Sequence, residues 1–128
     1  MNTVKLLFFT GLAGAAGTLM RYGCVRLFNH WFPGFSWGTL TVNMIGAFLA
    51  GFCFIFCRCR FMQYEAYFPV LFIGFLGAFT TFSTYTLESI RFLADAQYGR
   101  FAVNILLQNA GGLFAAGGGF FLAKILFR

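Results

Sequence analysis

Four long stretches without a charged residue dominate this sequence. We place transmembrane spans in them at roughly 4–25, 38–57, 67–93 and 100–125. A helix needs about 20 mostly apolar residues to cross a bilayer, and each stretch supplies them. Backbone polar groups in lipid must be satisfied internally, and a set this small cannot close a barrel of strands. The sequence therefore predicts an all-α membrane protein with four transmembrane helices in a single domain, residues 1–128.

The composition agrees with a chain embedded in lipid. Hydrophobic residues make up 60% and charged residues 9%, whereas a soluble domain carries about 25% charged residues. The Lys and Arg residues are scattered rather than clustered, which argues against nucleic acid as a partner. Lys5 before an apolar run imitates a signal peptide, but the run continues into the four-span set, so we expect it to be retained. We expect a multi-pass protein of the cell inner (plasma) membrane.

The positive charges are almost equally divided between the two sides of the membrane. Five lie on the side that holds the termini and the second loop: Lys5, Arg58, Arg60, Lys124 and Arg128. Four lie on the other side: Arg21, Arg26, Arg91 and Arg100. An imbalance of Lys and Arg normally sets the orientation of a helix bundle, and here it is nearly absent. This predicts insertion in both orientations and an antiparallel homodimer with a two-fold axis in the membrane plane.

Amide side chains occur inside two of the spans, where they are costly unless they are satisfied. Asn43 in the second span is either an interhelical hydrogen bond or a donor that faces an aqueous or ion pathway. In the fourth span, Asn104 and Gln108 lie four residues apart, with Asn109 beside them. They either line a polar track or bond to a neighbouring helix. We favour the track, because the third span supplies polar partners.

Charged residues and thiols elsewhere have simpler interpretations. We expect Arg26 to reach the interface and Arg21 to lie deeper, as a vestibule or structural cation. We expect Glu88, near the end of the third span, to pair with an arginine. No CxxC pair is present, so packing is the expected role of the four cysteines. These are Cys24, Cys53, Cys57 and Cys59.

The third span contains an unusual polar stretch, residues 74–88, which reads GFLGAFTTFSTYTLE. Two glycines followed by several hydroxyl side chains weaken a helix, and this predicts a break in mid-span. Freed carbonyls suit a small hard cation, whereas freed amides suit an anion. Phe79, Phe82 and Tyr85 recur every three residues and should share a face. They either pack in the core or present electropositive ring edges to an anion.

Three segments together resemble the Fluc/CrcB fluoride channels. They are Gly11–Tyr22 with its terminal Arg-Tyr, GTLTVN at 38–43, and G-x-x-G-x-x-T-T-F-S-T at 74–84. The resemblance covers all four spans. It implies an antiparallel, dual-topology homodimer with two pores, which exports cytoplasmic fluoride by passive electrodiffusion.

The resemblance also implies roles for individual residues. A sodium ion at the dimer centre would be held by the backbone carbonyls of Gly77 and Thr80 from both subunits. Asn43 matches an amide that faces the pore, and Phe82 matches the first of two pore aromatics. The other residues implied for the fluoride path are Ser83, Thr84, Tyr85, Asn104 and Gln108.

The chain departs from the family pattern at three positions. Tyr85 occupies the place of the second pore aromatic, which is usually Phe, so that the ring edge is kept and a phenol donor is added. Gly112 and Ala116 stand where the fourth-span track often continues with Ser or Thr. The lower half of the track would then depend on backbone groups and water.

Two other functions fit a small four-span chain. A proton-coupled drug exporter needs a carboxylate buried in the membrane. Residues 6–20 contain none, and all three acidic residues, Glu65, Glu88 and Asp95, lie at span ends or in loops. A non-transporting assembly partner would use Asn43 and the Thr residues only for packing. We do not expect an enzyme, because no set of nucleophile, base and orienting residue is visible.

Overall fold

The computed structural model describes residues 2–127, with Tyr64 described through its backbone only. Within them are four helices long and apolar enough to cross a membrane, which confirms the four predicted spans. The first to fourth spans are Thr3–Trp31, Trp37–Arg60, Glu65–Ala94 and Tyr98–Leu126.

The first span runs six residues beyond its predicted end. The turn begins after Trp31, because Pro33 stops the helix. A residue that precedes proline is disfavoured in helical geometry, and Phe32 has φ −127° and ψ 73°. Gly34 follows with φ +97°, a left-handed conformation that glycine adopts readily. Asn29 accepts a hydrogen bond from the Gly38 backbone N–H at 2.9 Å, which ties the two spans together.

The second and fourth spans make the most extensive helix pairing of the chain. A side-chain methyl group at Gly51 would collide with the Ala116 carbonyl, and one at Gly119 would collide with the Phe48 carbonyl. The two backbones are therefore in direct contact at two levels. Small residues permit such close approach between membrane helices, where apolar side chains gain little over lipid.

The first span packs against the first half of the third span. Gly17 is buried, and a methyl group added there would collide with the Phe75 carbonyl. Gly17 and Gly119 thus let neighbouring helices approach closely. At Gly11, Gly117 and Gly118, by contrast, an added methyl group would meet no neighbouring helix within 4 Å among the described residues.

The third span contains the predicted break. A 3₁₀ turn at Met62–Tyr67 leads into a π-helical segment at Val70–Leu76 and a single α-turn at Gly77–Phe79. Thr80 and Thr81 are then extended, with ψ 159° and 109°, before an α-helix resumes at Phe82–Ala94. The break is thus one residue pair long, and it lies in the middle of the span.

The fourth span is continuous but not uniform. It consists of an α-helix at Tyr98–Leu106, a π-helical segment at Leu107–Gly111 and an α-helix at Gly112–Leu126. Both π-helical segments were missed by the sequence analysis. Such segments occur often at functional sites, because the wider turn shifts the side chains that follow it.

Apolar side chains cover most of the outer surface, as expected for a protein in lipid. Leu113 and Phe114, for example, are 77% and 81% exposed. The packing role predicted for the cysteines fits the buried Cys57 but is wrong for Cys59, which is exposed at the end of the second span.

Candidate functional site

A groove of about 400 Å³ lies beside the break in the third span. The second, third and fourth spans contribute its walls, and most of its polar side chains lie within two residues of the break or in the fourth-span π-helical segment. The lining residues are Asn43, Met44, Gly46, Ala47, Ala50, Phe72, Leu76, Gly77, Thr80, Thr81, Phe82, Tyr85, Gln108, Asn109 and Gly112.

The Asn43 side chain holds the broken backbone in place. Its Oδ1 accepts a hydrogen bond from the Thr81 backbone N–H at 2.8 Å, and its Nδ2 donates to the Thr81 carbonyl at 3.1 Å. Nδ2 also donates to Oε1 of Gln108 at 2.9 Å. Of the two interpretations of Asn43, the interhelical hydrogen bond is therefore present in the structure, and the same side chain also lines the groove.

The break removes the usual helical partners of the four carbonyls of residues 77–80, as at any helix end. In an α-helix each carbonyl accepts from the N–H four residues later, so Thr81 would serve Gly77 and Thr84 would serve Thr80. The Thr81 N–H donates to Asn43 instead, and the Thr84 N–H donates to the Thr81 hydroxyl at 3.2 Å. The two residues named for the sodium site are therefore among the four whose carbonyls lose these partners.

Gln108, which lines the groove, has a side-chain donor that makes no hydrogen bond to the described residues. The Thr81 backbone fixes which end of the Asn43 amide is nitrogen, because an N–H faces one end and a carbonyl faces the other. Gln108 must then accept through its oxygen. Its Nε2 is buried and has no hydrogen-bond partner among the described residues. Unpaired buried donors are uncommon and call for an explanation.

Phe82 and Tyr85 form a ring pair on the groove wall. Their centroids are 5.4 Å apart and the rings meet edge to face at 69°. Tyr85 is buried and Phe82 is 74% exposed. The predicted shared face is wrong for Phe79, because the break separates it from the other two, and it stacks on Phe75 at 6.0 Å.

Not all the residues predicted for the fluoride path reach the groove. It brings together Asn43, Phe82, Tyr85 and Gln108, together with the two residues predicted for the sodium site. Four of the other predicted residues are absent from its lining: Arg21, Ser83, Thr84 and Asn104. Ser83 and Thr84 are exposed at the start of the helix that follows the break, and Arg21 is half-buried within the first span.

A second set of polar residues lies outside the groove lining, and two of its members were missed by the sequence analysis. Asn104 is fully buried and donates to the Ser89 hydroxyl at 3.0 Å, and its Oδ1 has no partner among residues 2–127. The Thr39 hydroxyl donates to Glu88 at 2.7 Å. Arg91 lies close enough to interact with the Glu88 charge, but no direct ion pair joins Glu88 to an arginine among the described residues. Ser89 and Thr39 could have been found as hydroxyl residues within apolar spans. Ser89 lies four residues after Tyr85, and Thr39 lies four residues before Asn43.

The chemistry of the freed carbonyls fits a small cation. Neutral carbonyl oxygens are ligands that hard cations accept. Residues 2–127 contain no cluster of three or more His, Cys, Asp or Glu side chains that could hold a metal ion.

Comparisons with known proteins agree with the motifs. The sequence model of the family described as "CrcB-like protein, Camphor Resistance (CrcB)" matches residues 8–120. A fluoride-specific ion channel FluC from Desulforapulum autotrophicum is 40% identical over 121 residues, which cover 92% of this chain and 95% of the relative. Its counterpart from Campylobacter jejuni is 40% identical over 126 residues, which cover 94% and 99%.

A third FluC protein, from Legionella pneumophila, is 41% identical over 103 residues, which cover 80% of this chain and 77% of the relative. Together with its four spans, these matches make the chain a multi-pass protein of the plasma membrane. The chain belongs to the CrcB family, a family of ion channels rather than enzymes.

Proposed function

We propose that this protein is a fluoride channel that lets cytoplasmic fluoride leave the cell passively. The observation that carries the proposal is the groove, in which a helix break braced by Asn43 lies beside the exposed aromatic ring of Phe82 and an unpaired amide donor. The relatives named above are fluoride-specific channels. Hydrogen fluoride crosses membranes as a neutral acid and dissociates in a near-neutral cytoplasm, so a channel for the anion relieves the trapping.

The groove offers the kind of contacts that a small anion needs. Fluoride is strongly hydrated, so leaving water is costly unless donors replace its hydration shell. The Gln108 Nε2 is a buried donor without a partner, and aromatic ring edges such as that of Phe82 are electropositive. Neutral donors of this kind stabilise the anion without holding it as tightly as a fixed positive charge would.

We propose that two copies assemble antiparallel, with the two-fold axis in the membrane plane. The near-equal division of Lys and Arg supports insertion in both orientations. A second observation concerns the break, since open backbone in the membrane must face protein or water and not lipid. In the single chain the groove is open, and Ser83 and Thr84 beside it are exposed. A partner that covers this face would complete the site, and two-fold symmetry would repeat it.

We also propose a sodium ion at the centre of this dimer, held by the carbonyls of Gly77 and Thr80 from both chains. The support is that both carbonyls lose the N–H that an unbroken helix would supply. When bound, the ion would supply a fixed positive charge between the two paths and a link between the subunits. In the chain itself, Asn43 keeps the break open by holding Thr81 in the extended conformation.

The proton-coupled exporter is the less suitable alternative. It needs a carboxylate that exchanges protons in the middle of the membrane. Glu88 is bonded to Thr39, which lies in the first turn of the second span and therefore near the membrane boundary. The carboxylate thus helps to hold two helix ends together at that level.

The test is fluoride efflux from liposomes, followed with a fluoride electrode after potassium is made permeant with an ionophore. We expect rapid fluoride efflux from vesicles that contain the protein and none from protein-free vesicles. Vesicles that contain the protein and are loaded with chloride, followed with a chloride electrode, should release no chloride. A folded, reconstituted protein that releases no fluoride would contradict the proposal and would favour the assembly-partner alternative. Efflux that requires a proton gradient would favour a coupled exporter.

A further inference from the structure

Asn109 and Tyr85 form a hydrogen bond that has no role in fluoride conduction as proposed above. The Asn109 Nδ2 donates to the Tyr85 phenol oxygen at 3.0 Å and also to the Ile105 carbonyl at 2.8 Å. Both side chains line the groove. The phenol is also the feature in which this chain departs from the Phe that its family resemblance implies.

The Ile105 carbonyl determines the direction of this bond. The two ends of an Asn amide are assigned from their partners, and a carbonyl can only accept. The atom between Ile105 and Tyr85 must therefore be the amide nitrogen. It follows that the phenol oxygen accepts from Asn109. A phenol has one proton to donate, so the Tyr85 proton is not used in this bond.

The available proton lies where an anion would pass. Tyr85 is 7% exposed and its ring meets Phe82 edge to face on the wall of the groove. The Gln108 Nε2, buried and without a partner among the described residues, belongs to the same wall. Both free donors have the same origin. The Thr81 backbone orients the Asn43 amide, which makes Gln108 accept through its oxygen. The Ile105 carbonyl orients the Asn109 amide, which makes the Tyr85 phenol oxygen accept.

We propose that the Tyr85 hydroxyl donates a hydrogen bond to fluoride in the groove, and that Asn109 is the positioning residue that keeps its proton available. This rests on the proposed function of fluoride conduction. Hydrogen bonds to an ionised acceptor are about twice as strong as neutral ones. A small anion with concentrated charge gains most from such a donor. Without Asn109, the phenol proton turns to a protein acceptor such as the Ile105 carbonyl.

The proposal predicts that the two residues act as one unit, which a double-mutant cycle measures. We expect Tyr85→Phe and Asn109→Leu each to slow fluoride efflux by about threefold, and the double variant also by about threefold. Independent roles would instead give about ninefold in the double variant. Tyr98→Phe is the matched control, because it removes a phenol from an exposed position outside the groove, and it should leave efflux unchanged.

A second measurement separates a donor to fluoride from a structural bond. Infrared difference spectra with and without fluoride should show a shift of a phenol C–O stretch in the parent protein. The shift should disappear in Tyr85→Phe and shrink in Asn109→Leu. Suppose that the parent protein releases fluoride but the two variants act independently, or that fluoride causes no shift of the phenol band. Either result would overturn the inference and leave the channel function intact. No efflux in the parent would overturn both.

Discussion

The Asn43 side chain pairs with both backbone groups of Thr81, so an amide from the second span replaces the helical turn that the third span lacks. A change at Asn43 therefore acts first on the backbone conformation of the break. Through it, the change also alters the positions of the carbonyls and side chains at the break. Stability and conduction are coupled at this residue.

We expect Asn43→Ala to lower both the stability of the protein and its fluoride flux. The variant leaves the Thr81 N–H unpaired, which costs about 1–3 kcal/mol, and removes one donor from the Thr81 carbonyl, which as the N-cap still serves the helix that follows. Thermal unfolding in detergent and efflux per assembled protein measure the two effects. Asn43→Asp is the informative companion, because it keeps an acceptor for the Thr81 N–H but cannot donate to Gln108. An Asn43→Ala protein that unfolds at the parent temperature would contradict the bracing role.

A second prediction concerns the contact between Gly46 and Thr80. A methyl group added at Gly46 would collide with the Thr80 methyl group, so Gly46→Ala should destabilise the protein by about 1–3 kcal/mol. Thr80→Ser removes that methyl group and keeps the hydroxyl that donates to the Leu76 carbonyl at 3.0 Å. Alone it should be nearly silent in flux, and combined with Gly46→Ala it should restore stability. A double variant no more stable than Gly46→Ala would refute this packing.

The ring edge of Phe82 can be tested by an aliphatic replacement. Phe82→Ile keeps an apolar side chain of similar depth but removes the electropositive edge, which is worth about 0.5–1.5 kcal/mol in aromatic pairs. We expect slower fluoride efflux and a fall of only a few degrees in the unfolding temperature, from the loss of the ring pair with Tyr85. Phe114→Ile is the control, because Phe114 is 81% exposed and lies outside the groove. Equal effects of the two changes would show that the Phe82 ring has no special role.

The sodium proposal predicts that flux depends on the cation present. We expect fluoride efflux to fall after prolonged, verified replacement of sodium on both sides by a large organic cation, and to return when sodium is restored. A bulky residue at Gly77 should abolish fluoride flux whether or not sodium is present, because it disturbs the backbone that carries the oxygens. Undiminished efflux without sodium, together with no density between the Gly77 and Thr80 carbonyls in an experimental structure, would exclude the ion.

The proposed antiparallel assembly predicts that the C-terminus is found on both sides of the membrane. Cysteine or tag labelling of a C-terminal extension in intact and opened cells measures this distribution. Added lysines at one loop should shift all copies to one orientation and reduce flux, and co-expression of two oppositely biased variants should restore it. A uniform orientation in the parent protein would rule out the antiparallel dimer.

The number of spans and the break could be predicted because both depend on local sequence. Long uncharged stretches determine the spans, and two glycines followed by hydroxyl residues weaken the helix before Thr80 and Thr81. The end of the first span was placed six residues too early, because the helix continues past Arg26 to Trp31, just before Pro33. The π-helical segments were missed, since nothing in the composition of residues 107–111 distinguishes them from an α-helix.

The partners of the polar residues were harder to predict than their presence. Asn43 was found from its cost in a membrane, but its bonds to Thr81 join residues 38 positions apart. Glu88 was given an arginine partner from charge alone, whereas helix packing brings Thr39 to it. Such pairings depend on how the helices pack, which the pattern of one sequence does not contain.

The direct backbone contacts at Gly51 and Gly119 have a consequence for genetic screens. A selection for growth in fluoride would reject side chains at these two positions as strongly as changes at Asn43, although neither glycine lines the groove. The positions that tolerate no change would therefore include both residues of the ion path and residues of the interface between the second and fourth spans. Measuring protein abundance as well as growth for each variant would distinguish the two groups. Changes at Gly51 and Gly119 should reduce both abundance and growth, whereas changes at Phe82 should reduce growth alone.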